Sequence, residues 1–246
     1  MTRLPLYLSL LLTLCWLPVS ADGAVVTWGS DFTITAPTDI SNPAGGSLIF
    51  AGDFNTTGDF GPGDDMINGI LFQRVDEDIA GLLNTNIDSG PSYDTGYYPG
   101  NTGDPDLNAL LDSHSYRVGN PTTATISLLN LIPGTGYQVQ LITVADNRGC
   151  CDNRVYEPDD GQGNFTTGLQ LRRGNYESVI GTFTADNATQ NILLRSLNNA
   201  SGNDDPGLSG IVLFEVSTII PEPSTFLVWS LLAALGIGSA AYRRKR

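Results

Sequence analysis

Three acidic stretches rich in Gly and Asn hold the residue types best suited to a hard cation. The first runs from Asp53-Phe54-Asn55 through Asp59 to Asp64-Asp65. The second is Asp159-Asp160-Gly161-Gln162-Gly163-Asn164, and the third is Asn203-Asp204-Asp205. Calcium gathers about six to eight oxygens, and flexible loops can fold carboxylates and carbonyls around one ion. One structural calcium is the candidate cofactor, with Asp159 and Asp160, or Asp53 and Asp59, as its ligands. None of the three follows the spacing of an EF-hand loop. The bland alternative is that Asp, Asn and Gly simply make turns on an acidic surface.

A second chemistry is stacking on sugar rings. Tyr93, Tyr97 and Tyr98 fall in the long polar segment 84–103, and exposed aromatics on a loop can bind a glycan face. The same three side chains could instead tether that segment to the body of the protein. Cys150 and Cys151 are adjacent, so they cannot staple distant segments as secreted cysteines usually do. They can form a strained vicinal disulfide, pair between molecules, bind a soft metal or stay free; the vicinal disulfide is the expectation. His114 is the only histidine, and it reads as structural or exposed rather than catalytic. There is no nucleophile elbow, no H-E-x-x-H, no phosphate-binding loop and no dinucleotide fingerprint. Paired carboxylates can run a glycosidase, but among 25 acids in the central segment some pairs fall close by chance.

These residues sit between two apolar ends. Arg3, the apolar stretch 4–17 and Val19-Ser20-Ala21 have the layout of a signal peptide over residues 1–21, cut by signal peptidase after Ala21. At the other end, Pro221-Glu222-Pro223-Ser224 precedes an uncharged apolar run, 226–242, and the chain closes on Arg243-Arg244-Lys245-Arg246. That run is at the short end of what spans a bilayer, and the basic cluster is a stop that predicts a cytoplasmic C-terminus.

Three features in that order at the end of the chain resemble the PEP-CTERM sorting signal of Gram-negative bacteria. The resemblance covers residues 219–246. It implies that an exosortase-type membrane protease recognises the Pro-Glu-Pro motif and removes the tail. It also implies a transient single-pass anchor, followed by the cell surface or the extracellular space, often alongside exopolysaccharide.

The segment between the ends, 22–218, has the length of one domain with a substantial core. Of the 12 basic residues five lie in the two ends, leaving 7. Of the 26 acids only Glu222 falls outside 22–220, leaving 25. The segment therefore carries a net charge near −18, against −14 for the whole chain. Such a surface repels phosphate backbones, which excludes nucleic acid as a partner.

Short runs separated by Gly, Asn, Asp and Pro predict strands over 24–28, 32–35, 47–51, 69–73, 115–118, 123–129, 137–145, 178–184, 191–197 and 210–216. In 137–145, Tyr137, Val139 and Leu141 mark a dry face, while Gln138 and Gln140 mark a wet one. Ile211-Val212-Leu213-Phe214 is apolar on both faces and should sit centrally. Asp104-Pro105-Asp106 can start a short helix, Asp as cap and Pro first inside, with Leu107, Leu110 and Leu111 on one face. A further turn or two is expected over 76–83, with Ile79, Leu82 and Leu83 inward. Many short strands with almost no crossover helix predict an all-β fold, a single antiparallel β-sandwich.

The stretch Leu129-Asn130-Leu131-Ile132-Pro133-Gly134-Thr135-Gly136-Tyr137-Gln138-Val139 turns between two strands, where Tyr137 can hydrogen-bond back across the corner. It resembles a pattern found in fibronectin type III modules and in galactose-binding-like jelly rolls, and the length favours the jelly roll. Residues 67–72, 181–186 and 210–214 are similar to extracellular bacterial domains that carry this sorting tail and are akin to carbohydrate-binding jelly rolls. The resemblance implies a secreted, non-catalytic surface or matrix protein that binds polysaccharide. A purely structural, adhesive protein is the alternative, and a secreted hydrolase acting on glycans the second.

Overall fold

The computed structural model describes residues 23–54, 65–75, 79, 81–87, 93–94, 102–116, 123–144, 154–197 and 205–217. The chain divides into two compact units, Met1–Val216 and Ser217–Arg246. All of the sheets belong to the first.

Its strands, in order, are β1 (Thr27–Trp28), β2 (Phe32–Thr33), β3 (Ser47–Asp53), β4 (Asp65–Ile67), β5 (Ile70–Arg74), β6 (Leu83–Thr85), β7 (Tyr93–Asp94), β8 (Ser113–Tyr116), β9 (Thr123–Leu129) and β10 (Gly136–Ile142). They continue with β11 (Val155–Pro158), β12 (Leu171–Arg172), β13 (Glu177–Thr184), β14 (Thr189–Ser196), β15 (Gly207–Leu208) and β16 (Gly210–Val216). One α-helix, α1, covers Pro105–Asp112. An eight-stranded sheet runs β1-β13-β10-β16-β3-β5-β4, with β2 also on β13. A five-stranded sheet runs β12-β11-β14-β9-β6, and a small one β15-β8-β7. The fold is thus β-rich, with several sheets and a single α-helix among the described residues.

The large sheet is buried on both faces. On one side Tyr137, Val139, Leu141, Val179, Phe183, Ile211 and Leu213 meet Ala124, Ile126, Leu128, Ile192 and Leu194 of the five-stranded sheet in a common core. On the other, Ala51, Phe72, Ile142, Val212 and Phe214 are covered by Leu107, Leu110 and Leu111 of α1 and by Ile34 and Ile40. This two-sided burial is why Ile211, Val212, Leu213 and Phe214 of β16 are all apolar, and β16 sits between β10 and β3 as that run requires.

It also corrects the reading of β10. Gln140 is not on a wet face but only 1% exposed. The segment carrying Ile40 lies over it: Gln140 Nε2 donates to the Asp39 carbonyl and to Ser178 Oγ, and Gln140 Oε1 accepts from Ser41 N. A buried amide is tolerable there because its polar atoms are paired. A further departure is the β3–β5 pairing, which is parallel, Gly52 opposite Gln73 and Asp53 opposite Arg74. The turn expected to end at Leu83 reaches it: Leu82 N and Leu83 N both donate to Ile79 O, at 3.0 and 3.3 Å, and Leu83 also opens β6.

Local chemistry fixes the elements on either side. Asp104 Oδ1 accepts from Asp106 N and Leu107 N at 3.0 and 3.1 Å, capping α1 where Pro105 begins it. At the β9–β10 corner, Ile132 N donates to Tyr137 Oη at 2.9 Å. Gly134 takes a positive φ of 86° there, which a side chain would strain.

Candidate functional site

The outer face of the five-stranded sheet is built by strict alternation on β9. Ala124, Ile126 and Leu128 point to the core, which turns Thr123, Thr125 and Ser127 outward. Asn84 of β6 and Asn191 of β14 both lie opposite Ser127, while Thr85 lies opposite the inward Ile126 and sends its Oγ1 to the Thr125 carbonyl. The result is a groove of about 200 Å³ lined by Asn84, Thr85, Asn86, Thr125 and Ser127. Its wall is stiffened from within: Thr85 Oγ1 donates to Thr125 O, Asn86 Oδ1 accepts from Thr125 N, and Ser127 Oγ donates to Asn191 Oδ1 at 2.8 Å. Every lining side chain is an uncharged amide or hydroxyl. Such groups match sugar hydroxyls as donors and acceptors, and none can supply general acid–base chemistry at neutral pH. The signal in the sequence is the period of two in Thr123-Ala124-Thr125-Ile126-Ser127, which predicts a strand but does not by itself announce a groove on its outer face.

Asp159 and Asp160 come together in one turn, where their oxygens serve the chain itself. Asp159 Oδ1 accepts from Leu193 N at 2.7 Å and Oδ2 from Gly163 N at 2.8 Å. Asp160 Oδ1 accepts from Gln162 N and Asn164 N, and Oδ2 from Asn164 Nδ2. Burial pushes the Asp159 carboxyl above its ordinary range, against N–H donors from Leu193, Gly163 and Gly161, and the Asp160 charge adds to the rise. At Asp160 a burial penalty is outweighed by the Asn164 side chain and the N–H groups of Gln162 and Asn164, which hold that carboxyl below its ordinary range. A cation at this turn would compete with all of these donors. Among the described residues no group of three His, Cys, Asp or Glu side chains is placed to hold a metal ion.

Asp53 ends β3 on the large sheet, 4% exposed, away from the Asp159 turn in the topology. Its expected companion Asp59 lies outside the described residues, as do Tyr97, Tyr98, Cys150 and Cys151. Tyr93 belongs to β7, opposite His114 of β8. His114 is fully buried, and Arg173 Nη2 donates to its Nε2. A guanidinium only donates, so that nitrogen is unprotonated. Residues 1–21 and the whole sorting segment, with Pro221, Glu222, Pro223, Ser224 and Arg243, Arg244, Lys245, Arg246, also lie outside the described residues. Among those described, no helix is long and apolar enough to cross a membrane.

No family model matches the chain, and no curated protein does so at a significant level. Some solved plant structures resemble it at low identity. The ANX1 ectodomain from Arabidopsis thaliana aligns over 77% of this chain and 54% of its own, at 13% identity and a TM-score of 0.46. A complex of the plant peptide RALF23 with FER and LLG2 aligns over 76% and 55%, at 15% identity and 0.44. The ANX2 ectodomain from Arabidopsis thaliana gives 70% and 50%, at 11% and 0.44. The chain thus spans about half the length of the solved chains it resembles.

Proposed function

We propose that this is an exported, non-catalytic surface or matrix protein of jelly-roll type, released from its C-terminal segment by an exosortase-type protease. The observation that carries this reading is the order of parts in residues 221–246: Pro-Glu-Pro, an uncharged apolar run, a basic end. A signal peptide at the other end gives both ends one topology, with residues 22–218 outside the cytoplasm. Replacing Pro221, Glu222 and Pro223 by alanine should leave the protein in the membrane fraction, while the unaltered chain reaches the surface. Equal distribution of both would remove the processing step.

The groove on the outer face supports polysaccharide as the ligand. It offers amides and hydroxyls along the edge pair β6–β9 without a carboxylate or histidine in its lining. In affinity electrophoresis through gels containing the host's exopolysaccharide, the protein should be retarded. Asn84→Ala with Ser127→Ala should migrate freely. Unretarded migration of the unaltered protein in every glycan gel would leave the structural, adhesive role.

A further inference from the structure

Residues 22–220 contain 7 basic side chains, and every one is an arginine, since Lys245 is the only lysine in the chain. In so acidic a segment each cation would be expected at the surface beside carboxylates. Two are not. Arg154 is 6% exposed and Arg173 is 1% exposed. Arg173 N donates to Arg154 O at 3.0 Å, and this bond extends the β11–β12 ladder in which Val155 opposes Arg172. Directly opposed residues of an antiparallel pair share a face, so two guanidinium side chains start from the same face of one rim, an arrangement that is unfavourable by itself.

The alternation settles which face. Tyr156 and Leu171 point into the common core, while Glu157 pairs outward with Arg195 at 2.6 Å. Arg154 and Arg173 therefore lie on the inner face, at the end of the core. Ser196 opposes Tyr156 in the register of β11 with β14 and shares that face, which makes it a diagonal neighbour of Arg154. Two buried donors there make no hydrogen bond: Arg154 Nε and Ser196 Oγ. His114 is bound to Arg173, and Tyr156 Oη donates to the Asp205 carbonyl, so the phenol is turned to the backbone and is not the partner of Arg154.

A buried guanidinium nitrogen and a buried hydroxyl, both orphaned on one face, are costly unless something else completes them. The partner must accept hydrogen bonds and carry negative charge. An arginine presents two parallel N–H donors, from Nε and one Nη, which match the two oxygens of a planar carboxylate. A hydroxyl beside it supplies a third donor. A dianion such as phosphate fits less well, because the segment's charge near −18 opposes a double charge more than a single one.

We propose that Arg154 and Ser196, with Arg173 across the ladder from Arg154 and His114 bound to Arg173, form a binding site for a single carboxylate group carried by an external ligand. The site is separate from the outer groove and does not depend on it. A carboxylate could arrive on a small organic acid or on an acidic sugar residue of a polysaccharide, and the chemistry at Arg154 is the same for both.

Titration calorimetry on the full chain, purified in detergent, tests this with four probes: acetate, glucuronic acid, glucose and inorganic phosphate. Acetate or glucuronic acid should bind and glucose should not. Tighter binding of glucuronic acid than of acetate identifies a sugar as the source, and equal binding identifies a simple acid. Arg154→Met should weaken carboxylate binding roughly ten-fold or more, the loss expected for charge-assisted hydrogen bonds. Ser196→Ala, which removes one oxygen and leaves the packing in place, should weaken it by a smaller factor. Arg154→Met should also raise the unfolding midpoint without ligand, because it removes an uncompensated buried charge. Absence of carboxylate binding, preference for phosphate, or unchanged binding in a folded Ser196→Ala and Arg154→Met pair would overturn the proposal.

Discussion

Trp28 Nε1 donates to the backbone carbonyl of Asp159 at 2.6 Å, tying β1 of the large sheet to the turn that follows β11 of the smaller one. The indole reaches that turn by lying across Gly181, its register partner on β13. A Cβ at Gly181 would stand 2.6 Å from Trp28 Cε3 and 2.8 Å from Val26 Cγ1. Gly181→Ala must therefore displace the indole or the strand. It should cost about 1–3 kcal/mol in urea denaturation, with a change in tryptophan fluorescence.

The same turn should titrate in two directions. For Asp160, whose carboxyl is held low, the stabilisation is present above the unfolded value near ~3.9 and is lost as pH falls through the lowered folded value. For Asp159, whose carboxyl is raised, the contribution is present below ~3.9 and is lost as pH rises through the raised folded value. The stability gap between unaltered protein and Asp160→Asn should shrink as the pH is lowered. The gap for Asp159→Asn should shrink as it is raised. Melting curves across the acid range check both, and parallel trends in the two variants would refute the assignment.

The cap of α1 is separable from its packing. Asp104→Ala removes the acceptor for Asp106 N and Leu107 N and should cost about 1 kcal/mol, whereas Asp104→Asn should retain most of that stability. Leu110→Ala leaves a hole under the large sheet and should cost about 2–5 kcal/mol. Chemical denaturation of the three variants gives the order directly.

At the β9–β10 corner, Tyr137→Phe keeps the ring stacked on Phe183 at 5.5 Å but removes the oxygen that Ile132 N reaches. The expected loss is about 1 kcal/mol. A loss near zero would mean that water replaces the phenol.

Much of this architecture was legible in local chemistry. Asp104-Pro105 marked a helix start because a cap and a first-turn proline leave few alternatives. Pro133-Gly134 with Tyr137 marked a corner for the same reason, and the unbroken apolar run of β16 marked the middle of a sheet. What was not legible depended on contacts distant in sequence. Val155–Pro158 does not announce itself as a strand because Glu157, Pro158 and the acidic pair after them have the composition of a loop; the Glu157–Arg195 ion pair that settles it spans two strands. Gln140 looked wet because nothing nearby in sequence announces the segment that covers it. Arg154, Arg173 and Ser196 carried no motif at all; only the register of three strands brings them to one face.

The fate of residues 226–246 decides most directly whether the tail is a sorting signal. Intact-mass spectrometry of the protein recovered from the cell surface should give a chain that begins near Asp22 and ends at or close to the Pro221-Glu222-Pro223 motif, and the Glu222→Ala protein should keep its basic end. A surface-exposed chain whose mass still includes Arg243, Arg244, Lys245 and Arg246 would contradict it.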